Sequence, residues 1–419
     1  MSTPTPWPLP LLTRRGWLGA ALALSGPAIG SAAPAVAPPG SAPIPAPTPD
    51  PVRRGRPIVL PRDHGAHLGS RIEWWYVTGW LQTDPSVGGT GRRSDEAPSP
   101  ALPAPPADPR ALIGFQVTFF RTATGLAAAL PGRLAPRHLL FAHAALSFLA
   151  EGRHEHDERI ARWNGDPQAG PLAHAALHDA DLRLRDWTLR RDDAGPAPHR
   201  GRWSTRVTIA RHALELQLGR TQPVLLQGEA GWSRKGPQPA QASHYLSEPQ
   251  LAVRGRLVDP AGRARAVQGR AWLDHEWSDE LLHPEAVGWD WIGINLDDGS
   301  ALTAFRLRRA DGSALWAGGS FRAPGQTEAR AFSPDEVDFT PGRVWRSPGS
   351  GARYPVEWTV RTPAGRHTLR ALLDAQEMLS RGATGTVYWE GLSTLHAADG
   401  RRIGLGYLEM TGYAGRLVL

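Results

Sequence analysis

From about residue 56 onward the chain is a succession of short β-like runs broken by turn residues, and this pattern constrains its fold more than any other feature. In LRLRDWTLRR (182–191), Leu182 and Leu184 alternate with Arg183 and Arg185, the period of a half-buried strand. WWYVTGWLQ (74–82), LIGFQVTFFR (112–121), HLLFAHAALSF (138–148), RWSTRVTIA (202–210) and ALELQLG (213–219) read the same way. The second half continues with LAVRGRLVD (251–259), ARAVQGRAWLDHEW (264–277), WDWIGINLDD (289–298), ALTAFRLRR (301–309), YPVEWTVRT (354–362), TGTVYWEGLSTL (384–395) and GLGYLEMTGY (404–413). Turn signals such as DDG, ADG and PAG separate these runs, and only ALLDAQEML (371–379) has helical spacing. An all-β fold of antiparallel sheets closing into barrels is expected. The 419 residues, 41% of them hydrophobic, suffice for more than one core.

A weak internal echo points to two related units. EWWYVTGWLQTD leads, after an insertion, to LIGFQVTFFR, and GWDWIGINLDDG leads directly to ALTAFRLRR. The expected division is a first barrel over 56–245 and a second over 246–419, with the boundary near 235–255. The insertion at 86–110 is low in complexity and marks a hairpin tip.

The N-terminus reads as an address. Arg14 and Arg15 precede an apolar run too short to span a bilayer comfortably, which ends in Ala35-Val36-Ala37. Residues 1–37 resemble a twin-arginine (Tat) signal peptide, which implies a periplasmic or secreted protein exported already folded. The proline-rich stretch 38–55 is expected to be a linker.

The absence of cysteine excludes disulfides, thiolate metal sites and a cysteine nucleophile. The net charge of +7 comes without a basic block interleaved with aromatics, so nucleic acid is not an expected partner. Seventeen tryptophans suit ligand pockets and sheet faces. A monomer is expected.

Polar chemistry must then come from a few constellations. In PRDHGAHLGSRIEWWYVTGW (61–80), His64 and His67 precede Glu73. Zinc ligation, a hydrogen-bond knot and the polar end of a pocket are all open there, with Trp75 and Tyr76 on opposite strand faces. His143 is alone in an apolar strand, a core residue or a pocket residue. Ser243, His244, Tyr245 and Ser247 lie beside a proline turn without a nucleophile elbow and suit a cleft lining. HEHDE (154–158) reads as a solvated hairpin.

The densest cluster is WLDHEWS (272–278) with GWDW (288–291). On a strand, Trp272, Asp274 and Glu276 share one face, and Leu273, His275 and Trp277 the other. An acid among indoles has its pKa raised by desolvation, which suits a general acid. The alternative is charge pairing with arginines such as Arg270 or Arg306. His275, Trp277 and Asp290, the last between Trp289 and Trp291, are expected to face one pocket near the domain interface, joined by Glu73 or His64. Asp274, Glu276 or Asp290 would supply a proton.

PRDHGAH…EWWYVTGWL, GFQVTFFR, FAHAALS, SHYLSEPQL, WLDHEWS, GWDWIGINLDDG and YWEG…GLGYLEMTGY together resemble the secreted AttH/CrtC family from about residue 57 to the C-terminus. That family includes carotenoid 1,2-hydratases (hydroxyneurosporene synthases) and many secreted proteins described as hydrolases. The resemblance implies two lipocalin-like (calycin-type) antiparallel β-barrel domains. It also implies cofactor-free, acid-catalysed water addition to an isoprenoid-like substrate. His275 and Trp277 match the family's D-H-x-W motif, whereas LTAFRLRRADG (302–312) has no Tyr-x-Asp match. A periplasmic lipophile carrier serving an ABC-type transporter is the other activity the resemblance allows.

Overall fold

The computed structural model describes residues 50–84, 102–125, 136–166, 172–195, 197–280, 282–380 and 385–416. The signal peptide, most of the linker and most of the 86–110 insertion lie outside these residues. The described residues contain strands and short 3-10 turns, with no α-helix among them.

The first sheet contains β1 (Ile72–Thr83), β2 (Ile113–Ala123), β3 (His138–Phe148), β4 (Arg153–Trp163), β5 (Ala173–Ala175), β6 (Asp181–Leu184), β7 (Trp187–Asp192), β8 (Arg202–Ile209), β9 (His212–Gly219), β10 (Leu225–Leu226), β11 (Trp232–Arg234), β12 (Ala242–Val258) and β13 (Ala264–Ser278). Its spatial order is β4-β3-β2-β1-β13-β12-β9-β8-β7-β6-β5. The second sheet contains β14 (Gly288–Leu296), β15 (Ala301–Arg308), β16 (Ala314–Arg322), β17 (Arg330–Phe332) and β18 (Asp338–Pro341). After the separate pair β19 (Val344–Arg346) and β20 (Arg353–Pro355), it continues with β21 (Glu357–Thr362), β22 (Gly365–Ala371), β23 (Glu377–Leu379), β24 (Val387–His396) and β25 (Arg402–Thr411). Its order is β17-β16-β15-β14-β25-β24-β22-β21-β18. Both sheets are antiparallel and curl into nearly closed, lipocalin-like barrels, as the strand pattern and the resemblance imply.

The echo noted in the sequence has a topological counterpart. In each sheet the first strand pairs with the last, β1 with β13 and β14 with β25. The following three strands then run outward in sequence order.

Four expectations need correction. The first sheet continues to Ser278, so the sheets divide in the loop 279–287 and not near residue 246. The cause is that β12 and β13 close the first barrel by pairing with β9 and β1, a long-range match that local pattern does not reveal. The proline turn expected after SHYLSEPQL is a bulge within β12, where Gln250 takes a φ of 56°. There, the Gln250 backbone N–H donates to Asn295 Oδ1 (2.8 Å), which fastens β12 to the second barrel. Residues 371–379 are the end of β22, a bend and β23, not a helix. HEHDE lies within half-buried β4, where His156 Nε2 accepts from the Leu379 N–H at 3.2 Å, so it is not a solvated hairpin.

Side chains fill both barrel interiors. Val77, Phe115, Trp187, Trp203 and Leu214 pack in the first barrel, and Ile292, Trp358, Val360, Trp389 and Leu408 in the second. Each such side chain contributes about 1.5–3 kcal/mol through burial. A third apolar layer lies between the sheets, with Tyr76, Trp80 and Trp272 meeting Trp291, Phe305, Leu307 and Tyr407. The described residues belong to one compact unit, Ile44–Leu419. Strand β9 shows why this layer matters. Its residues alternate buried and half-exposed, whereas Ala271–Ser278 of β13 are buried throughout, because their outward face meets the second barrel.

Candidate active site between the barrels

Alternation along β13 sends two sets of side chains in opposite directions. Leu273, His275 and Trp277 point toward the first barrel's interior, where Leu273 joins the core. Trp272 points into the layer between the barrels, and Asp274 and Glu276 line the cavity there.

The inward set forms a closed knot. Glu73 is fully buried and accepts from Arg121 Nε (2.9 Å), from the His67 N–H (2.9 Å) and from His275 Nε2 (3.0 Å). His67 Nδ1 lies 2.7 Å from Glu73 Oε1, the oxygen that His275 also meets. Burial alone would raise the Glu73 pKa, but His67 and Arg121 outweigh it and hold it well below the usual range. Burial would likewise depress His67, yet Glu73 and Asp63 raise it. Burial lowers His275 despite Glu73, leaving a neutral ring that donates from Nε2. Trp277 stacks on His67 with ring centroids 3.7 Å apart, and Trp75 stacks on His275 at 4.7 Å.

His67, Glu73 and His275 bring one ligand atom each within 4.8 Å of one another, the reach of a metal site. Arg121 nevertheless occupies the second Glu73 oxygen, so the positive charge a metal would bring is already supplied by protein. His64 and His244 flank this knot. His64 lies 3.6 Å from Glu248, its pKa pushed by burial to about 3. His244 lies 5.3 Å from the Trp277 ring and is lowered to about 4, again chiefly by burial.

The outward set lines a cavity of about 100 Å³ between the barrels. Its walls include Trp74, Tyr76, Phe120, Tyr245, Trp289, Trp291, Phe305 and Tyr388. Its acidic and basic side chains are Asp274, Glu276, Glu280, Lys235, Glu390 and Glu409. A second cavity of about 440 Å³ shares the lining residues Tyr245 and Phe305 with the first.

Asp274 accepts from Tyr245 OH (2.7 Å), Ser247 Oγ (2.5 Å) and Trp272 Nε1 (2.7 Å). Ser247 is held in turn by Gln227 Nε2 (2.8 Å), and Gln227 by Ser320 Oγ of the second barrel (2.7 Å). Burial pushes Asp274 up to about 7, against these three bonds and with help from Glu276. Glu276 pairs with Lys235 Nζ at 3.0 Å, and Lys235 lies over the rings of Tyr245 and Phe305. The arrangement can present a neutral acid to an apolar molecule near neutral pH.

Of the residues singled out in the sequence, Tyr76, Tyr245, Asp274, Glu276, Trp289 and Trp291 line this cavity. Glu73, Trp75, His275 and Trp277 belong to the knot behind it, which His64 and His244 flank. The expected common pocket of His275, Trp277 and Asp290 does not form. Asp290 sits in the second barrel opposite Arg306 and bonds to Arg306 Nε (2.8 Å) and Tyr413 OH (2.9 Å), with Arg308 Nε at 3.2 Å. Its charge is met by the cross-strand arginine, the alternative pairing. His143 reaches the cavity wall indirectly, through a 2.7 Å contact between its Nδ1 and Tyr388 OH.

Glu390 and Glu409 were missed by sequence reasoning, although YWEG and GYLEM each carry Tyr-x-Glu on one strand face. Lys235 had no local signal.

The chain matches the AttH-like family over residues 107–413. A crystal structure of an AttH-type protein from Nitrosomonas europaea is 42% identical, covering 87% of this chain and 99% of that one with a TM-score of 0.72. Kievitone hydratase from Nectria haematococca shares the fold at 14% identity, covering 88% of this chain and 98% of its own with a TM-score of 0.57. No curated protein matches the chain in sequence. The matched length and the 42% identity together establish that the chain belongs to the AttH-like family.

Proposed function

We propose that this protein is a cofactor-independent hydratase that adds water across a double bond at the end of an apolar, isoprenoid-like substrate. Asp274 is its general acid. The observation that carries this reading is a carboxyl with a pKa of about 7 in a cavity walled by indole, phenol and phenyl rings. A carboxyl that keeps about half its population protonated at neutral pH can protonate an alkene carbon, and aromatic faces stabilise the cation that forms. Water then captures the cation and releases a proton, so the net change is alkene plus water to alcohol. The fold shared with kievitone hydratase lends only that such a frame can host water addition.

The test incubates the purified protein with an acyclic carotenoid bearing terminal isopropylidene groups, in heavy-oxygen water. An alcohol carrying the heavy oxygen is the expected product. Absence of turnover, with a lipid co-purifying by native mass spectrometry, would instead favour the lipophile carrier working with an ABC-type transporter.

We also propose, from the Arg14-Arg15 pair and the apolar run that follows it, that the protein is exported. Replacing Arg14 and Arg15 together by lysine is expected to leave the precursor in the cytoplasm, because the arginine pair is what the Tat receptor reads. Fractionation and immunoblotting check this; normal periplasmic appearance of the variant would rule the route out.

A further inference from the structure

Glu390 on β24 and Glu409 on β25 stand directly opposite each other in the strand register. Like charges in that position repel, so a pair of carboxylates there is unfavourable unless one carries a proton. Both residues line the interdomain cavity. Glu390 is only 2% exposed, and its Oε1 has no hydrogen-bond partner among the described residues. Glu409 is less covered. The groups around the pair are Tyr76, Tyr388 with His143 behind it, Tyr407, Asp274, Trp289, and Glu276 held by Lys235. Tyr76 is kept neutral by burial and by Glu390, so no cation among these residues offsets both glutamates.

We propose that Glu390 and Glu409, the first protonated and the second ionised, hold the attacking water, with Glu409 as the base that deprotonates it. This role rests on the hydration reading. Asp274 gives its proton to one alkene carbon and becomes a carboxylate. The water oxygen forms a C–O bond to the neighbouring carbon, and the O–H bond that breaks sends its proton to the Glu409 carboxylate. That proton returns to Asp274 through cavity water, so the cycle consumes only alkene and water. Glu390 keeps its proton throughout and donates to the water from its otherwise unpartnered side. Electrostatics agree with this division. Burial and Glu409 push Glu390 well above the usual range, while Glu409 is raised less.

The experiment has two arms. Carboxyl NMR of the full-length protein with isotope-labelled glutamate needs no substrate. It should show one glutamate titrating above neutral pH, and that signal should vanish in Glu390→Gln. In Glu409→Gln, Glu390 should titrate lower, because the opposing charge is gone. The second arm uses the acyclic carotenoid in deuterated water. Glu409→Gln should lose water addition by about a hundredfold, the scale of a general base, while deuterium still enters the alkene through Asp274. Asp274→Asn should lose both. Ordinary titration of both glutamates, or wild-type water addition by Glu409→Gln, would overturn the pair. A wild type that neither hydrates nor exchanges the carotenoid counts against hydration itself, and the NMR arm still decides whether Glu390 holds its proton opposite Glu409.

Discussion

Glu73→Ala is expected to destabilise the protein by about 3–5 kcal/mol, the cost of breaking a buried ion pair from one side. The reason lies in what remains after the deletion. Arg121 is 0% exposed and donates from Nε to Glu73. Of its other two nitrogens, Nη2 donates to the His67 and Ser70 carbonyls and Nη1 lies 3.2 Å from His138 Nδ1, partners that neutralise none of its charge. Removing Glu73 leaves that guanidinium buried without a counter-charge. It also removes the partner that raises His67 and the acceptor of His275. Urea unfolding at neutral pH checks the expectation, and a loss below about 1 kcal/mol would mean the knot is not a cooperative unit. His275→Gln should act in the same direction and more weakly, because it removes one of the donors to Glu73. The His-x-Trp motif thereby acquires a physical role: it pins β13 from behind, and the front of the same strand carries Asp274.

The second large effect concerns that front face. Asp274→Asn is expected to lower water addition by about 10²–10⁴-fold, the range for removing a general acid. The same substitution is expected to stabilise the fold at neutral pH and above. A carboxyl with a raised folded-state pKa binds its proton more tightly in the folded than in the unfolded chain. Stability therefore falls as pH rises from the unfolded value of 3.8 to the folded value of about 7, and levels off beyond. The full span is at most about 4 kcal/mol, at 1.36 kcal/mol per pKa unit. Asparagine does not ionise and escapes this loss. A variant that is less active and more stable above neutral pH, yet equally stable near pH 4 to within about 1 kcal/mol, would carry the signature of a strained acid. A variant that is less stable at every pH would mark Asp274 as structural.

The strands were legible because period-two alternation and turn chemistry are local. The opposite facing of Asp274 and His275 was legible for the same reason. Which barrel each strand completes was not, because β12 pairs with β9 and β13 with β1 across long stretches of chain. Asp290 shows the same limit. Sequence proximity suggested His275, but register places Arg306 opposite it and settles the pairing. Glu390 and Glu409 each look unremarkable in their own strand, and only the pairing of β24 with β25 makes them a pair. The location of the cavity between two filled barrels, rather than inside either one, followed from packing that no single segment encodes.

The most direct test of the account is a pH titration of the Asp274 carboxyl by NMR, using protein labelled at aspartate and assigned with Asp274→Asn. A midpoint near 7, several units above an ordinary aspartate, is the predicted result. A midpoint near the ordinary 3.8 would contradict it, because Asp274 would then be a carboxylate at neutral pH with no proton to give.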